Sequence, residues 1–506
     1  MGTENKTLEF LGDFIGGSFR QADNSDEEWS VASPANLKDT VICPAARYDH
    51  VDEAVAAARK AYLPWAHLGV EKRKEHLQHL KEVFLARSGE VSELIARETG
   101  KPLWESKTEA ASLAAKIDVT LNHSLALVAE QKLKDALPSI DGYVRYKPRG
   151  VMAVIGAFNF PAHLANGHII PALITGNTVV FKPSDKTSAV GQWYASAVKE
   201  AGLPDGVFNM VQGRAEVGRR LCNHESVDGV LFTGSYEVGL KIKQDTLAHH
   251  WKLLALEMGG KNATVVWEDA DLKKAVFETL VGSFITAGQR CSCTSRVILH
   301  RSIRDEFVDH FYAAAKKLKI GHWRDEVFMG PLISSESVDK YIRYQEIAKR
   351  EGAESLMRGK ALNVSHEGYY VTPSINLVQK FDPKSVYQKS EIFGPNVAIF
   401  TVDTIEEALA INNSSGFGLV MSLFTKNRAL YEKALIEAQV GVLNLNRTTN
   451  GASSRLPFGG MNKSGNDRPS AHFAVQYCTV PVASLEDYTP YTGSSMPPGL
   501  NFEFKD

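Results

Sequence analysis

A thiol, a carboxylate and two strand-end turns are the residues of this chain whose types and spacing could do chemistry. In Ala287-Gly288-Gln289-Arg290-Cys291-Ser292-Cys293 the first thiol follows a glycine and a cation where a helical stretch meets a strand-like one. A helix terminus and a neighbouring guanidinium favour the thiolate, the form that acts as nucleophile. The plain alternative is a small buried hydrophobe, the commoner use of an isolated cysteine. Cys293, two residues on, invites a metal or redox reading, but a C-x-C pair with no second pair is too little for a zinc site, so no metal is expected.

Leu256-Glu257-Met258-Gly259-Gly260-Lys261 sets a carboxylate at the end of an apolar run. Desolvated there, it would gain a raised pKa and serve as a base near neutral pH; equally, it could close a strand end in a salt bridge with Lys261. Thr233-Gly234-Ser235-Tyr236-Glu237-Val238-Gly239 reads as a turn from strand to helix whose free N–H groups could receive a pyrophosphate, although it lacks the middle glycine of G-x-G-x-x-G. Phe181-Lys182-Pro183-Ser184-Asp185 ends another strand with a cation and a carboxylate suited to ribose hydroxyls, or to a solvated surface pair.

The elements that must position these residues form an α/β pattern. Residues 50–130 carry apolar positions at helical spacing. From about 140 the texture changes, and strand-like runs at 151–156, 178–183, 206–212, 228–234 and 262–267 alternate with helix candidates at 162–172, 187–202, 214–222 and 236–247. That rhythm predicts a mostly parallel, doubly wound sheet, a nucleotide-binding architecture. A second α/β body follows, with a helix at 271–286, a strand at 294–299, a helix at 302–318 and further units toward 440.

Composition narrows the partners. With 57 Lys+Arg against 59 Asp+Glu the net charge of the 506 residues is −2, which leaves no excess to hold nucleic acid or anionic lipid. Hydrophobic content of 44% and charged content of 23% are those of a folded globular chain. Five scattered cysteines suit a reducing compartment, and MGTENKTLEF lacks the basic start and apolar core of a secretory leader, so the cytoplasm is expected. Gly150 to Phe181 holds no charged residue, but its prolines, glycines and asparagines would break a lipid-exposed helix, so no membrane span is expected.

Taken in order, AFNFP (157–161), FKPSD (181–185), FTGSYEVG (232–239), LEMGGKN (256–262), GQRC (288–291), EIFGP (391–395) and PFGG (457–460) resemble the aldehyde dehydrogenase superfamily. The resemblance implies two doubly wound α/β domains plus an oligomerisation hairpin and arm: an NAD-binding domain over 1–130 and 149–258, a catalytic domain over 259–470, and an oligomerisation element over 131–148 and 471–506. It implies NAD as cofactor, a small aldehyde as substrate and a homodimer or homotetramer. Cys291 would be the nucleophile, Asn159 an oxyanion donor and Glu257 the base; Glu391 and Phe393 would hold the nicotinamide ribose and ring, Lys182, Ser184 and Asp185 the adenosine ribose, Gly234 and Ser235 the pyrophosphate. Asp185 stands where many members carry Glu.

Within the superfamily, GHIIPALITGN, QRCSC, GASSRLPFGG (451–460) and SGNDRPSAHFAVQYCTVPVASLE (464–486) are similar to the succinylglutamate semialdehyde branch of bacterial arginine catabolism. An acidic semialdehyde needs a cation to offset its desolvated charge, and Arg290 and Arg455 are the candidates; either could instead pair with a structural carboxylate. Competing readings are a pyrroline-5-carboxylate or broad-specificity dehydrogenase, a coenzyme A-acylating enzyme, which would not need Glu257, and an inactive structural homologue.

Overall fold

Val151–Ile155, Thr178–Lys182 and Gly229–Thr233 are buried along their whole length. Strands with no polar face belong inside a sheet covered on both sides, the parallel α/β arrangement. The computed structural model, which describes residues 6–490 and 497–500, places them at the centre of a 7-stranded sheet in the order Leu253–Glu257, Gly229–Thr233, Val151–Ile155, Thr178–Lys182, Phe208–Met210, Asp13–Ile15 and Ser18–Arg20. The first five strands run parallel, and Asp13–Ile15 and Ser18–Arg20 close one edge as an antiparallel pair. The chain builds outward from Val151–Ile155 in one direction, then returns to its other side with Gly229–Thr233. In an open α/β sheet the crevice beyond the strand ends at such a reversal is where ligands bind.

A second 7-stranded sheet follows, ordered Glu354–Met357, Ser374–Leu377, Asn396–Val402, Thr294–His300, Asn262–Val266, Val420–Phe424 and Val442–Leu445. It too is parallel except for the edge strand Glu354–Met357. A third, 3-stranded sheet pairs Gln131–Leu137, Ile140–Pro148 and Thr479–Glu486 antiparallel. Its outermost strand, Gln131–Leu137, is exposed throughout. Ala474, Val475 and Cys478, just before the last strand, are buried in the first core.

The expected elements differ from the observed ones mainly at their ends. The strand read at 206–212 shortens to Phe208–Met210, and the helix read at 302–318 becomes Arg304–Ala315. The helix read at 271–286 stops at Phe284, because the following residues turn left-handed. Part of the expected terminal arm, 491–496 and 501–506, lies outside the described residues. Among the described residues no helix is long and apolar enough to cross a membrane.

Helices at 50–122 cover the first sheet, and two of them bring carboxylates inside. Glu98 is wholly buried and accepts hydrogen bonds from the Ala189 and Val190 N–H groups at 2.8 Å each, satisfying first-turn donors of the helix Ser188–Glu200. Replacing it strands two buried N–H groups. Glu98→Leu is expected to cost about 2–4 kcal/mol, read as a lowered Tm with the near-ultraviolet spectrum of the native fold retained at low temperature.

Candidate active site

The residues singled out in the first body sit at the carboxyl ends of neighbouring parallel strands. Lys182 and Glu257 are the last residues of theirs, Gly234 and Ser235 follow Gly229–Thr233, and the loop after Val151–Ile155 carries Asn159. Ser235 caps the helix Tyr236–Asp245, its Oγ accepting from the Val238 N–H at 3.3 Å, while the Gly234 N–H donates to the Glu257 carbonyl at 3.0 Å. A Cβ at Gly239 would lie 2.4 Å from the Met258 sulfur, so glycine is what lets this helix approach the strand end. Lys182 is buried, and its ammonium donates to the Pro183 and Gly213 carbonyls at 2.7 Å each, not to Asp185. Asp185 and Ser184 are half-buried at the rim.

Cys291 is carried by a turn with unusual backbone. Thr286, Ala287 and Gly288 have φ of 56°, 52° and 71° in succession, a left-handed run that side chains other than glycine rarely adopt. A Cβ at Gly288 would meet the Gly394 carbonyl at 2.2 Å. The neighbours hold this turn. The Thr286 hydroxyl donates to Glu105, the Arg290 Nε donates to the Thr286 Oγ at 2.7 Å, and the other arm of Arg290 pairs with Glu105 at 2.9 Å. The Asn159 side-chain amide donates to the Gln289 carbonyl at 3.0 Å, and the Lys101 ammonium donates to the Asn159 carbonyl at 2.7 Å. Asn262 holds the far side, donating to the Cys291 and Cys293 carbonyls at 2.7 and 2.9 Å. Cys291 is left partly exposed, and its own N–H makes no hydrogen bond among the described residues.

Burial raises the Cys291 thiol, as it does the Cys222, Cys293 and Cys478 thiols, so the neighbouring cation and helix end do not favour the thiolate as their sequence positions suggest. Glu257 is 1% exposed and neither of its carboxylate oxygens has a hydrogen-bond partner among the described residues. Burial pushes its pKa well above the ordinary carboxylate value, with Arg468 pulling weakly the other way. The Cys291 thiol is pushed up as well, first by burial and then by the charges of Glu257 and Glu391, which places both carboxylates within electrostatic reach of the sulfur. Glu391 accepts from the Gly260 N–H at 2.8 Å, and burial raises it to about 7. A small cleft beside the turn is lined by Gly260, Gly288, Arg290, Cys293, Glu391 and Phe393. Phe393 itself has φ of 58° and meets Phe158 edge to face at 5.8 Å.

Two sequence alternatives are settled by this geometry. The salt bridge between Glu257 and Lys261 does not form: the Lys261 ammonium is buried without a hydrogen-bond partner, and desolvation lowers its pKa to about 7. Arg290 is not a free cation for a substrate carboxylate, because Glu105 and the Thr286 hydroxyl already engage it. Arg455 is exposed on its loop and makes no ion pair among the described residues. Among the same residues no group of three or more His, Cys, Asp or Glu could hold a metal.

Sequence reasoning missed Lys101, Glu105 and Glu109. Glu109 pairs with Lys101 at 2.6 Å and accepts from the Ala162 and His163 N–H groups, fixing the loop after Asn159. The signal was present in the helix Leu103–Asn122, whose polar Glu105, Glu109, Ser112 and Lys116 recur every three or four residues and so share one face. On sequence alone its apolar spacing points only to packing.

Residues 19–482 match the aldehyde dehydrogenase family model. An N-succinylglutamate 5-semialdehyde dehydrogenase of Escherichia coli is 38% identical over 455 residues, covering 89% of this chain and 91% of the relative. Among solved structures, an NAD-dependent aldehyde dehydrogenase of Sinorhizobium meliloti superposes with a TM-score of 0.90 at 29% identity, covering 96% of each chain. A 1-pyrroline-5-carboxylate dehydrogenase from Thermus with bound NAD superposes with a TM-score of 0.88 at 30% identity, covering 94% of this chain and 92% of that one. The chain belongs to the aldehyde dehydrogenase family. It is an oxidoreductase acting on the aldehyde group.

Exposure predicts which thiols react. Iodoacetamide is expected to label Cys43, which is exposed, and Cys291 in the native protein, sparing Cys222, Cys293 and Cys478, which are buried. Because the Cys291 pKa is raised, its thiolate fraction grows with alkalinity, so its labelling rate should still be climbing at about pH 9. Peptide mass spectrometry reads both; a plateau below neutrality, or labelling of the buried thiols instead, would contradict the site.

Proposed function

We propose that the protein oxidises an acidic semialdehyde such as N-succinylglutamate semialdehyde to the carboxylate, with NAD, through a thioester on Cys291 that Glu257 hydrolyses. The observation that carries this reading is the Glu257 carboxylate, buried, without a hydrogen-bond partner, and close enough to raise the Cys291 pKa. A hydrolytic base must be desolvated to hold a pKa near working pH and unpaired to take a proton from water. Thioester transfer to another thiol needs no such group.

In this reading the Cys291 thiol loses its proton to solvent and the thiolate sulfur attacks the aldehyde carbon. The resulting oxyanion is received by the unbonded Cys291 N–H and by the second hydrogen of the Asn159 amide, whose first is held by Gln289. NAD, when bound, supplies the hydride acceptor. Glu257 then takes a proton from the water that attacks the thioester. The residues fit the cofactor on two counts: the sheet reversal leaves its crevice beside Gly234 and Ser235, at a helix N-terminus suited to pyrophosphate, and the glycine at 259 lets Glu391 approach where a Cβ would lie 2.0 Å from its carboxylate. Glu391 and Phe393 would hold the nicotinamide ribose and ring, and Lys182, Ser184 and Asp185 the adenosine ribose.

The E. coli relative's name and the uncommitted cation Arg455 support an acidic substrate; the Thermus neighbour's name favours glutamate semialdehyde as the second reading. The outward 3-stranded sheet, with Leu133 and Leu485 exposed, supports assembly into a homodimer or homotetramer, and the unpaired cysteines support a cytoplasmic setting. A rim carboxylate at Asp185 would repel the extra phosphate of NADP.

The test is kcat/KM for N-succinylglutamate, glutamate and succinate semialdehydes and butanal, each with NAD and NADP. The expected result is the highest value for N-succinylglutamate semialdehyde, with NAD preferred by about tenfold or more, the effect of roughly 1.4 kcal/mol of repulsion. Equal use of butanal would sink the substrate assignment, and tighter use of NADP the role of Asp185.

A further inference from the structure

The face of Leu103–Asn122 that turns toward the site carries Glu105, Glu109, Ser112 and Lys116 in a row, all buried or half-buried. Three of the four have a stated job. Glu105 is neutralised by Arg290, Glu109 by Lys101, and the Ser112 hydroxyl meets His163 Nδ1 at 2.7 Å. Lys116 differs. It is 2% exposed, and the single group that receives its ammonium is the Ala471 carbonyl at 3.0 Å; no carboxylate pairs with it among the described residues. A Lys ammonium has three donors, and a buried charge without a counter-ion is costly. The titratable groups around it are His163 and His168 on one helix, His472 on the loop beyond Ala471, and Cys478. None of these is an anion at neutral pH.

A chain of contacts links this cation to the turn that carries Cys291. Ser292, next to Cys291, donates to Asn450 at 2.6 Å, and the loop from Asn450 passes the exposed Arg455 and Leu456 to Pro457–Phe458. That strand pairs with Ser470–Ala471, whose Ala471 carbonyl is the one that holds Lys116. Opposite lies Gly167, buried, where an added Cβ would meet within 4 Å only the Ser470 Oγ at 3.5 Å. A buried glycine facing so few atoms leaves room between the two elements.

We propose that Lys116 is the counter-ion for the distal carboxylate of the substrate, making it a specificity-determining residue for long acidic aldehydes. The inference rests on the acidic-semialdehyde reading above. From Glu105, whose partner Arg290 precedes Cys291, Lys116 lies about three helical turns further along Leu103–Asn122. A tail that reaches Lys116 therefore belongs to an extended substrate; a short one such as succinate semialdehyde falls short.

The experiment compares kcat/KM for N-succinylglutamate semialdehyde with that for butanal in the wild type, Lys116→Gln and Lys116→Arg. Removing the charge should lower the ratio roughly 30-fold, the size of one desolvated charged hydrogen bond, chiefly through KM; Lys116→Arg should keep it within about 3-fold. A ratio unchanged in Lys116→Gln overturns the proposal. Should that variant not fold, the wild type decides alone. Burial sets Lys116 at about 8, so its charge is lost as pH rises through that value, and KM for the acidic substrate should climb there while KM for butanal does not. Flat KM values for both across that range overturn the assignment too. A wild type that favours butanal would instead refute the acidic-substrate reading itself, whatever the variants do.

Discussion

One hydrogen bond joins the two halves of the chemistry. The Asn159 amide reaches from the first sheet's strand-end loop to the Gln289 carbonyl, two residues before Cys291, at 3.0 Å. In the proposed reaction the amide hydrogen that this contact leaves free is the one that would face an oxyanion. The loop is pinned from behind by Lys101 on the Asn159 carbonyl and by Glu109 on the two N–H groups beyond. The turn is pinned by Glu105 and Arg290. A single helix, Leu103–Asn122, supplies both carboxylates, so it acts as a jig spanning the two bodies.

Desolvation is what this jig maintains. A carboxylate in water has an ordinary pKa and is a weak base near neutral pH. Burial raises Glu257, and burial together with the charges of Glu257 and Glu391 raises the Cys291 thiol. The left-handed backbone at Thr286 and Ala287 belongs to the same design: strain of this kind persists where the surroundings over-determine it, and here a buried ion pair does so.

Much of this was legible in the sequence. The βαβ rhythm, the carboxylate at the end of an apolar run and the thiol after a glycine each follow from local periodicity and residue type, and the strands Thr178–Lys182 and Gly229–Thr233 end within one residue of their expected ends, whereas the strand Leu253–Glu257 is not among those expected. What sequence could not reveal was pairing across distance. Arg290 looked available for a substrate because its partner, Glu105, lies 185 positions earlier. Lys261 looked like the mate of Glu257 because it is four residues away, yet the two glycines between them turn it toward Tyr387, whose ring it faces at 5.6 Å. The polar row on Leu103–Asn122 was visible as a helical stripe, but its meaning depended on what the fold laid against it.

The central claim is that the acyl group passes through Cys291 and leaves by way of Glu257. Mixing the Glu257→Gln protein with NAD and N-succinylglutamate semialdehyde, quenching in acid and mapping peptides by mass spectrometry tests it directly. The account predicts one acyl adduct per chain, on the peptide holding Cys291, forming with a burst of NADH and decaying slowly. Undiminished steady turnover with no adduct, or an adduct on another cysteine, would contradict it.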